Sequence, residues 1–569
     1  MGKQIYNYRP ITPNICPYFS LKKWKNHQKE HKKCINNKKK RNRPQKVCNY
    51  TAFISINHIF LRNLQSKNQK PYFFILSNTK MKNKNLPSPL VSLIPIAILV
   101  VMLAVTIHLF GSDALGGGSQ VCLLSATGIC VLIGMLGYKR KWKHFEKAII
   151  NNINGVATAL IILLIIGALS GAWMISGVVP TLIYYGIQII HPSFFLVSTC
   201  LICCIVSVMT GSSWTTIATI GIALMGIGEA QGFEPGWIAG AIISGAYFGD
   251  KVSPLSDTTV LAASVTGSPI FSHIRYLFYT TIPSLIITLI IFTIAGLSHQ
   301  AADTGHIAEF TQALGGKFHI SGWLMIVPLV TAIMIAKKVP SLITLFVSTT
   351  LAAVFAVIFQ PELLAEVAGD AGSRAMTLIK GAMSILFGST SLDTGNTQIN
   401  ELIATRGMSG MMDTIWLIIC AMCFGGGMTA GGMLESITRV FTRFAKKRVS
   451  MVSSTVASGL FLNICTADQY ISIILTGNMF RDIYEENGYE GRLLGRTTED
   501  AVTVTSVLIP WNTCGMTQAT ILNVPTVTYL PYCFFNLISP LMSILVAATG
   551  YSIVRKCVKP KEETTEAEA

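Results

Sequence analysis

The chain has 569 residues, 51% of them hydrophobic and 13% charged, with a mean hydropathy of +0.52. Apolar runs of about 18–25 residues recur between short polar breaks, a pattern that excludes a soluble globular protein and predicts an all-α polytopic membrane protein. The formal charge of +18 would suit a nucleic-acid binder, but residues 1–80 carry 18 Lys/Arg against one acid, a net +17, and the remainder carries 27 Lys/Arg against 26 Asp/Glu, a net +1; no nucleic-acid partner is expected.

In chain order, the leader 1–80 comes first. Lys, Asn, Ile, Phe and Tyr make up 43 of its 80 residues, the types that A/T-rich codons encode. Met81 then opens "MKNKNLPSPLVSLIPIAILVVMLAV", a short basic start followed by a span. We therefore expect 1–80 to be a mis-assigned start or a disordered arm. A first transmembrane unit is expected over 88–297, a polar linker plus one extra span over 298–340, a second unit over 341–553, and a solvated tail over 554–569. The pairs Cys200/Cys203 and Cys420/Cys423 lie in apolar runs without nearby His and are read as small buried hydrophobes.

The two units repeat. At an offset of 256 residues, "EAQGFE" (229–234) falls on "EENGYE" (485–490), Pro254 on Pro510, Pro269 on Pro525 and Tyr276 on Tyr532; 12 of 71 pairs between 210 and 280 are identical. The basic stretches "YKRKWKHFEK" (138–147) and "TRVFTRFAKKR" (438–448) each hold five Lys/Arg, and neither has a basic counterpart at the offset position. One span separates the two loop positions, so the basic charge changes side between halves. That is the signature of inverted repeats, and the fold expected is about 11–12 transmembrane helices in two inverted repeats with broken helices at the midplane.

The breaks carry the chemistry. "GDKVSPLSDTT" (249–259) puts Asp250, Lys251 and Asp257 inside an apolar unit, at roughly 2.5–3.5 kcal/mol each on an insertion scale. Pro254 has no N–H and frees the Asp250 carbonyl in a helix. A hard cation wants oxygens, and the stretch offers the Asp250 and Asp257 carboxylates with Ser253, Ser256, Thr258 and Thr259. Gly245 and Gly249 permit close backbone approach. "TGSSWTT" (210–216), with Ser212 and Ser213, breaks the preceding run. The second-half counterparts are "TADQY" (466–470) and "VLIPWNTCG" (507–515), in which Asp468 replaces Ser212, Asn512 replaces Ser256, Thr513 replaces Asp257, and Pro510 is the breaker. The carboxylates are unevenly shared between halves, which suits one joint site. Asp250, Asp257 and Asp468 are the expected Na⁺ ligands, and protons and Na⁺ compete for such groups. Lys251 is read as the charge partner of Asp250 or another acid.

The stretches "GAYFGDKVSPLSDTT" (245–259), "TGSSWTT" (210–216) and "TADQYISIILTGNMF" (466–480) resemble signatures of the NhaC family of Na⁺/H⁺ antiporters, and the likeness spans 85–555. The resemblance implies a multi-pass carrier of the bacterial cytoplasmic (inner) membrane. Its partners would be Na⁺, protons and the bilayer, with room for a homodimer and no cofactor beyond the transported ions. Asp250, Ser253, Asp257 and Asp468 match motif positions. The family also includes exchangers similar to malate/lactate antiporters, so a cation-coupled organic-anion exchanger is the alternative. A channel is disfavoured because the titratable groups sit in two broken segments rather than a ring, and an enzyme because no HExxH motif is present.

Overall fold

In lipid each backbone N–H and C=O must be paired within its own segment, so these apolar runs fold as helices. The computed structural model describes residues 86–553 except 111–116, 300–303, 338, 370–371, 396–398, 401–402, 446 and 552. The expectations for 1–80 and 554–569 lie outside the described residues, which hold no strand beyond an isolated bridge between Thr390 and Thr405.

The first part contains α1 (Pro89–Phe110), α2 (Gly118–Leu132), α3 (Trp142–Ile175), α4 (Val178–Ile189) and α5 (Phe195–Thr210). A helical run follows as α6 (Ser213–Thr216), a π turn (Ile217–Gly221) and α7 (Ile222–Ala230). Next come α8 (Pro235–Val252), α9 (Asp257–Val265) and α10 (Ile270–Ser298). Between the parts lie α11 (Thr304–Lys317), within the stretch expected as linker, and α12 (Ile326–Ala336), where the extra span is expected; α12 has 11 residues and reaches span length only within a pair, Thr311–Lys317 with Gly322–Ala336, that is bent by 93°. The rest comprises α13 (Ser341–Phe359), α14 (Pro361–Ala368), α15 (Arg374–Phe387), α16 (Met412–Ala430), α17 (Met433–Phe444), α18 (Arg448–Thr466), α19 (Gln469–Glu486), α20 (Gly491–Thr498), α21 (Thr513–Leu522), α22 (Thr526–Tyr529) and α23 (Phe534–Thr549).

Among the described residues eight helices are long and apolar enough to cross a membrane, or up to ten if each of two bent pairs is one span. The expected eleven or twelve included the broken segments. These pieces, α8, α9, α19 and α21, are individually too polar or too short to count, because they carry the breaks. Surface chemistry follows the same logic. On α10, Phe278, Ile282, Ile286, Ile290 and Ile294 form an exposed apolar stripe, whereas Thr280, Thr281, Ser284 and Thr288 are buried. A helix with its hydroxyls inside and its aliphatics outside faces lipid. The apolar window of α1 is 24% buried in protein, against 67% for Ser409–Ala430 and 61% for α18, so the latter two are central.

The backbone also carries the 256-residue offset. Positive φ occurs at Lys139 and Gly395, Gly211 and Ala467, Gly232 and Gly488, and Gly267 and Asn523, four pairs each 256 apart. Helices α5 and α18 end at Thr210 and Thr466; α9 and α21 begin at Asp257 and Thr513. Four turns that need left-handed backbone, placed at one spacing, cannot come from apolar bias in the sequence.

Candidate functional site

The first break of each half is built alike. Helix α5 stops at Thr210, Gly211 is left-handed (φ 68°), and Ser212 is extended and caps the next helix by accepting from the Thr215 N–H at 3.2 Å. Helix α18 stops at Thr466, Ala467 is left-handed (φ 56°), and Asp468 is extended and caps α19 by accepting from the Ile471 N–H at 3.0 Å. A hydroxyl stitch holds each break: Thr210 Oγ1 donates to the Ser212 carbonyl at 3.1 Å, and Thr466 Oγ1 to the Asp468 carbonyl at 3.0 Å. Ser, Thr and Asp serve here because their short side-chain oxygens reach orphan N–H groups at a helix start.

The second break follows the proline. Ser253 and Ile509, which precede Pro254 and Pro510, are extended, as the proline ring demands of its predecessor. Ser256 and Asn512 then sit at the N-caps of α9 and α21. The carbonyl that Pro254 frees has a hydrogen-bond partner within its own half. Thr259 Oγ1 donates to the Asp250 and Lys251 carbonyls at 3.0 and 2.9 Å.

Polar side chains tie the two breaks of each half together. Asp250 is buried and accepts Ser213 Oγ on one oxygen and Ser256 Oγ on the other, both at 2.6 Å. Thr258 shares a hydrogen bond with Ser256 at 2.9 Å. In the second half Asp468, also buried, accepts Thr513 Oγ1 at 3.2 Å, and the Thr513 N–H donates to the Ala467 carbonyl at 2.9 Å. The offset equivalents of Ser213 and Asp250 are Gln469 and Ser506; Ser506 Oγ donates to Gln469 Oε1 at 3.3 Å.

The halves meet here. Helix α9 packs on α19, and α21 packs on the π turn after α6, so each half's second broken helix lies against the other half's first. Tyr470 is within electrostatic reach of Asp250, Asp257 and Asp468, and Cys514 of Asp250 and Asp468.

Some expected ligands are placed differently. Asp250, Asp257 and Asp468 do not gather into one tight acidic cluster, and among the described residues no group of three His, Cys, Asp or Glu could hold a metal ion. The reason is local: Asp250 and Asp468 are each engaged by hydroxyls of their own half, and Asp257, an exposed residue in the otherwise largely buried first turn of α9, hydrogen-bonds to none of the described residues. Ser253 turns away, its Oγ donating to the Val208 carbonyl at 2.9 Å. Asn512 braces the break, donating to the Asn463 carbonyl and accepting from the Cys514 N–H, each at 3.1 Å.

Lys251 pairs with Asp500, not Asp250. Both are fully buried, and the pair joins α8 to the π turn Glu499–Thr503 across the halves. Thr280 Oγ1 also donates to this Asp500 oxygen at 3.2 Å. Asp500, Glu499, Ser506 and Gln469 were missed by reasoning from motifs. They align with Ser244, Ile243, Asp250 and Ser213 of the first half, so charges present in only one copy of the repeat were the available signal. Glu435 and Asp393, which lie beside apolar segments, are surface groups. Glu435 pairs with Arg439 at 2.8 Å on an exposed face, and exposed Asp393 accepts from the Gly395 N–H at 2.9 Å. Close approach around the site rests on Gly249, where a Cβ would collide with Ser207 and the backbone of Val208 on α5.

Two broken helices per half, restarted at Ser212, Ser256, Asp468 and Asn512 and meeting inside a helical membrane domain, are the build of a secondary transporter. The family model for the Na⁺/H⁺ antiporter family matches residues 245–551. The Na⁺/H⁺ antiporter NhaC of Alkalihalophilus pseudofirmus is 37% identical over 75% of this chain and 90% of its own length. The malate-2H⁺/Na⁺-lactate antiporter of Bacillus subtilis is 36% identical over 76% and 89%, and the NhaC of the same organism 35% over 71% and 87%. The chain belongs to the NhaC family of Na⁺/H⁺ antiporters. It is a multi-pass membrane transporter, not an enzyme.

Proposed function

We propose that the chain exchanges Na⁺ for protons across the bacterial cytoplasmic membrane by alternating access, with Asp250 and Asp468 as the carboxylates that cation and proton share. One observation carries this reading: two buried carboxylates, one from each half, sit in breaks built to the same plan where the halves pack against each other. Oxygens from Ser213, Ser256 and Thr513 complete a donor set suited to a hard cation. A carboxylate in such a place takes either Na⁺ or a proton, and that exclusion couples the two fluxes.

Inverted topology is part of the reading. It is supported by the hydrogen bond from Arg140 to the Ala430 carbonyl at 2.6 Å. That contact sets the basic 138–147 loop beside the start of α17, which leads into the second basic stretch. Parallel halves would hold these loops on opposite faces. The family reading also keeps a homodimer open to a native mass measurement.

The organic-anion alternative draws on the malate-2H⁺/Na⁺-lactate relative. It needs a free cation for the carboxylate; Lys251 is engaged with Asp500, which leaves the buried Arg496 guanidinium, stacked over Tyr276 and without a hydrogen bond, for that role. Everted vesicles carrying the chain, energised to a pH gradient, test the choice. NaCl is expected to dissipate the gradient in wild type, and Asp250→Asn to abolish the response. No response to NaCl, with a response to malate against lactate, would favour the alternative.

A further inference from the structure

Glu499 opens the π turn Glu499–Thr503 and is fully buried, yet neither of its oxygens makes a hydrogen bond. The Thr503 hydroxyl one turn on comes near, but it too is unpaired. The other buried acids here have partners: Asp250 holds two hydroxyls, Asp468 caps a helix and Asp500 holds Lys251. Glu499 caps nothing and pairs with nothing. Burying an ionised carboxylate without partners is costly in a membrane interior, and such acids mark ion or proton pathways. Neighbouring groups are orphaned as well: the Thr498 hydroxyl, Asp500 Oδ2 and Asn536 Oδ1 are buried without partners. Asn536 reaches this turn by donating from Nδ2 to the Val504 carbonyl at 2.7 Å. Polar groups of this kind inside a membrane are satisfied by water.

The charged surroundings connect Glu499 to the ion site. Helix α8 brings Asp250 and Lys251 within its electrostatic reach, and Asp500 is adjacent. Of the other helices packed on this turn, α20 carries Arg496 and Arg492 and α9 carries Asp257. Helix α23 has no charged residue, α18 has only Arg448 at its start, and the charges of α19 (Arg481, Asp482, Glu485, Glu486) lie in its last two turns. A cation arriving at Asp250 therefore adds positive charge within reach of Glu499 and favours release of a proton there.

We propose that Glu499 is a proton-exchanging carboxyl of the transport cycle, separate from the carboxylates that hold the cation. The role rests on the exchange reading above. In release, the Glu499 O–H bond breaks, the electron pair stays on the carboxylate, and the proton leaves through water; uptake from the opposite side reverses the step.

The test uses the purified full chain in detergent, with a weak buffer and a pH-sensitive dye, pulsed with NaCl. Wild type is expected to release protons. Glu499→Gln should release about a third fewer, because one of the three titrating carboxyls is gone, and its exchange rate in vesicles should depend less on pH. Glu499→Asp keeps a titratable group and should restore release, with the pH midpoint of exchange displaced by about half a unit or more. Equal release from wild type and Glu499→Gln, with superimposable pH profiles, would overturn the role of Glu499 alone. Should Glu499→Gln fail to fold, an unmoved midpoint in Glu499→Asp overturns it. No Na⁺-driven release from wild type would remove the exchange reading itself.

Discussion

The break at Thr210–Ser213 and the break at Thr466–Gln469 share a backbone and differ in chemistry. Both end a helix on a threonine, pass through one left-handed residue, and restart from a side-chain cap. In the first half the cap is a serine and the carboxylate, Asp250, comes from the second break. In the second half the cap is itself the carboxylate, Asp468, and the position of Asp250 is Ser506. Duplication preserved what the backbone needs, namely a turn and a short oxygen acceptor. It left the charges free to differ, because Ser, Asp and Asn all cap a helix while only Asp binds a cation strongly.

The comparison can be broken at several points. The largest effect is expected at the cross-half pair. Lys251→Met leaves Asp500 buried without its cation and should cost about 3–5 kcal/mol of stability, read as a lower unfolding temperature in detergent; Lys251→Met with Asp500→Leu should recover much of it. Next comes the first half's hydroxyl grip. Ser213→Ala removes a 2.6 Å bond to Asp250, worth about 1.5–3 kcal/mol when the acceptor is charged, so the Na⁺ half-saturation in vesicles should rise about tenfold or more. The matching change Thr513→Ala removes a 3.2 Å bond to Asp468 and should raise it about two- to tenfold. If the second change has the larger effect, Asp468 is the main cation ligand and the halves exchange rank. The smallest effect is expected for Asp257→Asn, because the residue is exposed and unbonded: about threefold or less on the same measurement.

How much of this could be read from the amino-acid sequence follows from what each feature depends on. Prolines, glycines and hydroxyls inside apolar runs disclose a break directly, since lipid tolerates them only there, and so both pairs of breaks and the offset between them were legible. The orientation of a side chain within a break was not. Asp257 lies one residue after a cap and so starts α9 facing outward, whereas Asp250 lies on the last turn of α8 facing the partner break. Nor was the partner of Lys251 legible, because "RTTED" (496–500) reads as an ordinary polar stretch until the fold lays it against α8. That the carbonyl freed by Pro254 needs a partner is legible in the sequence; that the partner is Thr259, nine residues beyond Asp250, is not.

That last bond has a bearing on turnover. Since Thr259 satisfies the backbone at the proline break, the peptide chain there is complete whether or not an ion is bound. At the site proposed above, an occupant departs by giving up side-chain oxygens, and a proton on the same carboxylates compensates. The scaffold need not be rebuilt each time cargo is discharged, and a carrier that crosses the membrane loaded in both directions requires a frame that stays intact between loads.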